Sequence, residues 1–448
     1  MRLVPRTRLL IWTALLVVPP ATLAGVWPAS LWPAAALIAL FVIIVLFDAA
    51  GAPRRLEQLS IECDPVTRLS KDRPGHLALY LNNDQSHDRE IRLGLPLPPE
   101  IESDQEELRV LVPGGQRRSL ARWDCTPRQR GNYPLAVAYV EAASPLGFWS
   151  LRQALPLRTE FRVYPDLTGE RRQVAALFLN RGTHGIHTLR QTGKGRDFEK
   201  LREYIPGDSF EDIHWKATAK RGRPVTKVFQ IERTQEVYVI LDASRLSARE
   251  LANPARPGAR VSTLERFINA ALVLGYAAER QGDLFGLLTF SDRVLDFVRA
   301  RNGPAHYTLC RDKLHALAPA IVTPDYDELF AFLRTRLRRR ALLVFLTALD
   351  DPVLAENFTR NAGLICRQHL LLVNMIQPPG LRPLFDAPDV TATDDLYQRL
   401  GGHLIREKLL ELEKTLRRHG VQFNLLTNEQ LSAQVVTQYL EVRRRQLL

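Results

Sequence analysis

The stretch EVYVILDASRL, residues 236–246, decides the fold of the C-terminal half of this 448-residue chain. Its apolar run, residues 237–241, is typical of a strand buried on both faces, and such strands belong to parallel sheets covered by helices. Asp242 and Ser244 follow where the predicted strand ends. The stretch therefore predicts an α/β sheet with polar side chains at its carboxyl edge, where the ligands of such sheets bind.

The rest of the C-terminal half alternates between predicted helices and predicted strands. A helix begins at a capping box formed by Ser262 and Glu265, and apolar residues recur at helical spacing up to Leu274. Further strands are predicted at 284–290, 341–347, 370–376 and 421–426, and further helices at 394–419 and 429–445. This alternation predicts a doubly wound α/β domain over residues 233–448.

Asp242 and Ser244 offer two oxygen atoms on one turn, and oxygen atoms are the ligands that Mg²⁺ prefers. In the alternative interpretation, the two side chains only cap the next helix and accept hydrogen bonds from nearby amides. The residues alone leave both interpretations open.

The segment before the first strand, residues 193–220, reads GKGRDFEKLREYIPGDSFEDIHWKATAK. Its Pro-Gly-Asp sequence, which ends at Asp208, predicts a turn. His214, Trp215 and Lys216 predict a basic, aromatic contact face, and with Asp208 they are the candidate partner-binding residues. The alternative is that Trp215 packs the segment against the α/β domain.

Residues 55–165 carry short apolar or alternating runs between clusters of Pro, Gly, Asn and Asp, which is an all-β pattern. The runs are 77–81, 91–95, 108–112, 135–140 and 148–151. Prolines at strand ends favour closure as a small antiparallel sandwich. A predicted helix at 170–179 follows, and residues 166–232 are interpreted as a linker together with the segment described above.

Residues 1–54 predict a membrane anchor of two helices. No charged residue occurs between Leu9 and Phe47, and the run is interrupted at Pro19, at Pro20 and around residues 27–30. The two resulting spans are close to the roughly 17 to 25 residues that cross a hydrocarbon core. Both are expected to be helices because lipid cannot hydrogen-bond a free backbone.

Arginines flank both ends of this predicted hairpin, and the turn between the spans carries no charge. The flanking residues are Arg2, Arg6, Arg8, Arg54 and Arg55. The positive-inside rule then places both ends in the cytoplasm. The alternative is a signal peptide cleaved near Ala24, which would place the body in the periplasm.

Composition and motifs indicate no catalytic site. The four cysteines lie far apart, which suggests neither zinc nor a disulfide framework. No P-loop, His-Glu-x-x-His or Gly-x-Ser-x-Gly stretch occurs. The net charge of +12 suits an anionic membrane surface as well as nucleic acid, and ordinary solvated surface also explains much of it. The arginine cluster at 334–340 lies at a predicted helix end, where the helix dipole and solvation explain it, so no nucleic acid is expected.

Residues 193–220 resemble the signature of the bacterial family called domain of unknown function 58. The stretches RGNY at 130–133 and SPLGF at 144–148 are also similar to the β-domain of that family. The resemblance covers the whole chain and implies a hairpin anchor in the inner membrane, a β-rich domain, the signature and a C-terminal von Willebrand factor A-like domain.

The A-like domain binds a metal ion through three loops, and the resemblance implies which residues correspond here. Asp242 and Ser244 resemble the first two ligands, and Thr323 resembles the threonine of a second loop. Leu246 stands where a second serine is usual, and Ala348 stands where an aspartate is usual. The resemblance thus implies a degenerate Mg²⁺ site, and no cofactor is expected.

The same resemblance implies a function through partners. The implied partner is a MoxR-type AAA+ ATPase, with other A-like domain proteins and inner-membrane lipid as further partners. The chain is then a non-enzymatic adaptor that acts in the assembly or maturation of other protein complexes. One alternative is a membrane-tethered, metal-dependent hydrolase, which predicts a bound divalent ion. The other is a nucleic-acid-binding protein, which predicts an affinity that falls steeply with salt.

Overall fold

The structure is a computed structural model that describes residues 2–53, 56–84, 87–114, 118–180, 192–206, 209–230, 235–254, 258–378, 381 and 393–445. The chain divides into two compact units, Met1–Asp166 and Leu167–Leu448. It mixes helices with several separate sheets.

The first unit begins with a short strand and three helices. They are β1 (Arg2–Pro5), α1 (Thr7–Leu16), α2 (Val18–Val26) and α3 (Leu31–Gly51). Two stretches, Thr7–Val26 and Pro28–Gly51, are long and apolar enough to cross a membrane. The break between α1 and α2 falls at Val17, just before the two prolines, because proline lacks an N–H and its ring clashes with the preceding turn. Arg54 and Arg55 lie outside the described residues.

The remainder of the first unit consists of two sheets around one apolar core. Its strands are β2 (Leu59–Cys63), β3 (Val66–Ser70), β4 (Gly75–Asn83), β5 (Arg89–Gly94), β6 (Ile101–Glu102), β7 (Leu108–Val112), β8 (Ser119–Pro127), β9 (Gly131–Ala143) and β10 (Trp149–Tyr164). One sheet has the order β1-β10-β9-β5-β7, with β3 also paired to β10, and the other has the order β2-β4-β8-β6. Leu77 and Trp123 from one sheet and Ile91 and Phe161 from the other are buried in the shared core. This core is the result of the alternating pattern, since every second side chain of a strand points to the same face.

The second unit is built on a six-stranded sheet with helices on both faces. Its elements are α4 (Thr168–Asn180), β11 (Thr192–Glu203), α5 (Trp215–Arg221), β12 (Val225–Gln230), β13 (Glu236–Asp242), β14 (Glu250–Ala252), β15 (Arg260–Ser262), α6 (Thr263–Arg280), β16 (Leu284–Phe290), β17 (Val294–Arg301), α7 (Pro304–Leu314), α8 (Tyr326–Arg336), β18 (Leu342–Leu346), α9 (Pro352–Ile365), β19 (Leu370–Ile376), α10 (Thr393–Arg418), β20 (Gln422–Leu426) and α11 (Leu431–Arg445). The strand order is β17-β16-β13-β18-β19-β20, and only β17 runs antiparallel to its neighbour.

The two faces of this sheet carry separate cores. One core joins the sheet to α4, α6, α7 and α11, and the other joins it to α8, α9 and α10. The chain passes from β13 to strands on one side and later returns to β18 on the other side, so the strand order reverses between β13 and β18. The carboxyl edge at this reversal is where α/β sheets form their ligand crevice.

Helix α4, which the sequence places in a linker, packs onto this second unit. Val174 is fully buried in its core. Glu170 accepts a hydrogen bond from Arg266 Nη1 at 2.9 Å, and the Arg266 side chain is only 8% exposed. Breaking a buried ion pair from one side is costly because the other charge stays buried without a partner. Helix α4 is therefore tied to α6 by packing and by charge.

Candidate functional site

Asp242 lies at the end of the central strand β13 and at the reversal of the strand order. Its side chain is fully buried. Oδ1 accepts a hydrogen bond from the Ser244 backbone N–H at 2.8 Å, and Oδ2 accepts one from the Thr347 hydroxyl at 2.6 Å. Thr347 Oγ1 lies 2.9 Å from the hydroxyl of Tyr326, which is also buried. Four polar groups, from the ends of β13 and β18 and from the start of α8, thus form one closed network.

Burial sets the protonation of this network. It raises the pKa of the Asp242 carboxyl above its usual range, while the hydrogen bonds from Ser244 and Thr347 act in the opposite direction. Burial, followed by the nearby Asp242 charge, raises the pKa of Tyr326 well above its usual value. Both groups are therefore held toward their neutral forms.

The predicted metal ligands Asp242, Ser244 and Thr323 all take part in hydrogen bonds within the protein. Both carboxylate oxygens of Asp242 already accept hydrogen bonds, and the buried Ser244 hydroxyl accepts one from the Leu246 N–H at 3.3 Å. The Thr323 hydroxyl accepts one from Arg245 Nε at 3.3 Å. Within the described ranges, no group of three or more His, Cys, Asp or Glu side chains is placed to hold a metal ion. The local hydrogen bonds are those that the structural interpretation of Asp242 and Ser244 requires.

The rim of the same edge carries charges and two exposed apolar side chains. Arg245 bridges two loops, since it contacts Thr323 and lies 3.9 Å from Asp351. Ile321, two residues before Thr323, is 92% exposed, and Val353, two residues after Asp351, is 75% exposed. Exposed apolar side chains beside charged ones are typical of a surface that binds another protein.

The signature segment contains most of β11 and of α5, and β11 pairs antiparallel with β12, which follows the segment in the sequence. His214 is the N-cap of α5, and its Nδ1 accepts a hydrogen bond from the Ala217 N–H at 3.0 Å. Trp215 and Lys216 begin the helix and are exposed. Asp208 lies outside the described residues. The structure thus gives His214 a capping role and leaves Trp215 and Lys216 facing solvent.

Three apolar side chains of this segment are exposed, and together we call them the apolar patch: Ile205, Phe210 and Trp215. They are 56%, 74% and 69% exposed. Phe210 stacks on Tyr204 with ring centroids 6.0 Å apart, which holds its ring in place. The exposure of Ile205 and Phe210 was not predicted, although apolar residues on both sides of the Pro-Gly sequence were a signal for it.

Comparison with protein families gives a match for residues 200–383, which cover the end of the signature segment and most of the α/β unit. The family is described as "Protein of unknown function DUF58". The match supports the assignment of this chain to the DUF58 family. An uncharacterized protein of Mycobacterium tuberculosis (strain H37Rv) and one of Mycobacterium bovis are each 26% identical over 213 residues. The aligned region is 47% of this chain and spans 64% of the length of each relative.

Solved structures give distant likenesses. An uncharacterized membrane-spanning protein from Vibrio fischeri has 16% identity and a TM-score of 0.18, and the match covers 46% of this chain and 98% of that chain. A protein of unknown function from Porphyromonas gingivalis W83 has 15% identity and a TM-score of 0.16, and the match covers 24% and 48% of the two chains. These TM-scores are too low to indicate a shared fold.

Proposed function

We propose that this chain is a membrane-anchored adaptor that binds a MoxR-type AAA+ ATPase. The apolar patch carries the proposal. Three large apolar side chains are exposed within residues 205–215, and a soluble surface gains nothing from exposing them unless a partner covers them. Aromatic residues such as Phe210 and Trp215 supply most of the binding free energy in many interfaces. The class of the partner comes from the family resemblance.

The α/β unit is proposed to be an A-like domain that offers a second contact surface. Its strand order, its single antiparallel edge strand and the loop at Asp242 support this assignment. The closed Asp242 network supports contact without a metal ion, through Arg245 and the exposed Ile321 and Val353. The two sheets of the first unit support a β-sandwich domain that follows the anchor in the sequence.

The N-terminal helices are proposed to be a hairpin in the bacterial inner membrane with both ends cytoplasmic. Strand β1 precedes the first helix and pairs with β10 from Trp149 to Arg152. This pairing supports a hairpin, because it brings the start of the chain to the same side as the β-strands of the unit. It also argues against cleavage near Ala24, since cleavage there would remove strand β1 from the sheet that contains β10.

Replacing both Phe210 and Trp215 with alanine is expected to abolish recovery of the ATPase. Each aromatic side chain at the centre of an interface contributes about 2 kcal/mol, so the double variant should bind at least roughly 100-fold more weakly. The measurement is co-purification of the tagged full chain from detergent extracts of native cells, with and without ATP, followed by mass spectrometry for the MoxR-type ATPase.

The matched control replaces Leu111 and Tyr139 with alanine. These two side chains belong to the first unit and are 64% and 55% exposed. The control should recover the ATPase as well as the parent chain does. Equal recovery with the Phe210 and Trp215 variant would show that the patch is not the contact. If the parent recovers no ATPase under any nucleotide condition, the adaptor proposal fails.

A further inference from the structure

The loop at residues 144–149, between β9 and β10, leaves none of its backbone N–H groups to solvent. Ser144 N–H donates to the Trp149 carbonyl at 2.9 Å, and Gly147 N–H donates to the Ser144 carbonyl at 3.0 Å. Trp149 N–H donates to the Ser144 hydroxyl oxygen at 3.0 Å. The two remaining N–H groups, of Leu146 and Phe148, donate to a side-chain carboxylate. Backbone in contact with lipid must have its polar groups satisfied internally, and this loop meets that requirement for its donors.

That carboxylate belongs to Asp48, in the last turn of α3. Its Oδ1 accepts from Leu146 N–H at 2.8 Å. Its Oδ2 accepts from the Ser144 hydroxyl at 2.5 Å and from Phe148 N–H at 3.2 Å. The Asp48 side chain is 1% exposed. The loop is therefore clamped around the end of the second candidate membrane span.

The contacts also fix how far the loop reaches along this span. The ring of Phe148 packs edge-on against Phe41, with centroids 6.1 Å apart. Phe41 precedes Asp48 by two helical turns, which is about 10 Å along the axis. Trp149 Nε1 donates to the Val45 carbonyl at 3.1 Å. Phe47, next to Asp48 on the same turn, is 80% exposed, and a lipid-facing position in the proposed anchor explains this exposure.

We propose that residues 145–148 enter the bilayer and contact lipid directly. If Phe47 lies in lipid, the loop that lies beside it at the same height lies there too. Pro145 and Leu146, at the tip, are exposed and apolar, as an inserted loop requires. Arg8 is exposed beside the loop: a Cβ added at Gly147 would lie 3.2 Å from Arg8 Nη1. The Arg8 guanidinium is therefore placed to bind the phosphate of a phospholipid head group. The inference rests on the proposed membrane anchor and extends it from the helices to the β-strand unit.

The test measures depth in the bilayer with nitroxide labels. The full chain, with its four cysteines replaced by alanine, is reconstituted into nanodiscs of phosphatidylcholine and phosphatidylglycerol. Single labels are placed by Leu146→Cys, by Leu120→Cys as an exposed control on β8, and by Ile43→Cys in α3. Relaxation by oxygen, which partitions into lipid, is compared with relaxation by a water-soluble nickel chelate.

The proposal expects lipid-type relaxation at positions 146 and 43 and water-type relaxation at position 120. Water-type relaxation at 146 with lipid-type relaxation at 43 overturns the loop proposal and leaves the anchor intact. Water-type relaxation at both overturns the anchor itself. If the cysteine-free chain does not reconstitute, the unmodified chain is crosslinked to a photoactivatable phospholipid. Adducts within 145–148 then support the proposal, and adducts confined to residues 7–51 overturn it.

Discussion

Replacing Asp48 with alanine is expected to release the loop at residues 144–149 from α3. The change leaves the amides of Leu146 and Phe148 without their acceptor. Each buried donor left unsatisfied costs about 1–3 kcal/mol. The free energy needed to open the loop should therefore fall by roughly 2–6 kcal/mol. Amide hydrogen exchange of the peptide that contains Leu146 and Phe148 should accelerate at least about 30-fold, which mass spectrometry on the detergent-solubilised full chain can measure.

Two variants bracket this result. Asp48→Asn keeps one acceptor oxygen and should give an intermediate exchange rate. Asp124→Ala removes an exposed carboxylate from β8 of the same unit and should change nothing. Exchange in β16 of the second unit should be equal in all variants. If the Asp48→Ala chain exchanges at Leu146 and Phe148 at the parent rate, the carboxylate does not hold the loop.

The Asp48 clamp shows where sequence reasoning stops. The SPLGF stretch is recognisable only as a family pattern, and Asp48 is only the first charge after an apolar run. The two are 96 residues apart where Asp48 meets Ser144. A carboxylate that ends an apolar run usually faces water, and no local rule of propensity or periodicity links it to a distant loop. Only the tertiary fold reveals this contact.

The five parallel strands of the α/β sheet were predicted, and its antiparallel edge strand was missed. The apolar runs ending at residues 241, 290, 347, 376 and 426 correspond to β13, β16, β18, β19 and β20. Strand β17 (Val294–Arg301) was missed, because three charges interrupt the apolar residues of its sequence VLDFVRAR. The predicted N-cap at Ser262 is present, with its hydroxyl accepting from the Glu265 N–H at 3.3 Å. A hydrogen bond between residues that are close in the sequence could therefore be predicted.

Only part of the candidate site could be predicted, because some of its contacts join residues that are far apart in the sequence. Asp242 and Ser244 lie together in sequence, and the structure joins them by a hydrogen bond. Thr347, which binds the other oxygen of Asp242, lies 105 residues away and was treated as the end of a strand. The exposed side chains at Phe210 and Ile205 were not predicted, since exposure depends on what the rest of the fold covers.

Replacing Asp242 with asparagine is expected to keep the fold and to raise the melting temperature of the full chain near pH 8. Asparagine can accept from the Ser244 N–H and donate to Thr347 Oγ1, so the network survives without a buried charge. The pKa of Asp242 is raised in the folded state, which means that the folded chain binds this proton more tightly than the unfolded chain does. The stability that the neutral carboxyl provides is complete below its unfolded pKa of about 3.9 and is lost as pH rises through the folded pKa. The advantage of asparagine should therefore shrink as pH falls toward about 4.

Three comparisons separate this account from a metal site. Asp242→Ala should melt below Asp242→Asn, because it leaves the buried Ser244 N–H unsatisfied at a cost of about 1–3 kcal/mol. Asp124→Asn, on the surface, should follow the parent at every pH. Addition of Mg²⁺ should leave all melting temperatures unchanged, since Asp242 is fully buried and, among the described residues, belongs to no group of three or more His, Cys, Asp or Glu side chains that could hold a metal ion. A Mg²⁺-dependent rise in the parent that is absent from Asp242→Asn would show that Asp242 is a metal ligand after all, because a ligand that binds only the folded state raises its stability by mass action.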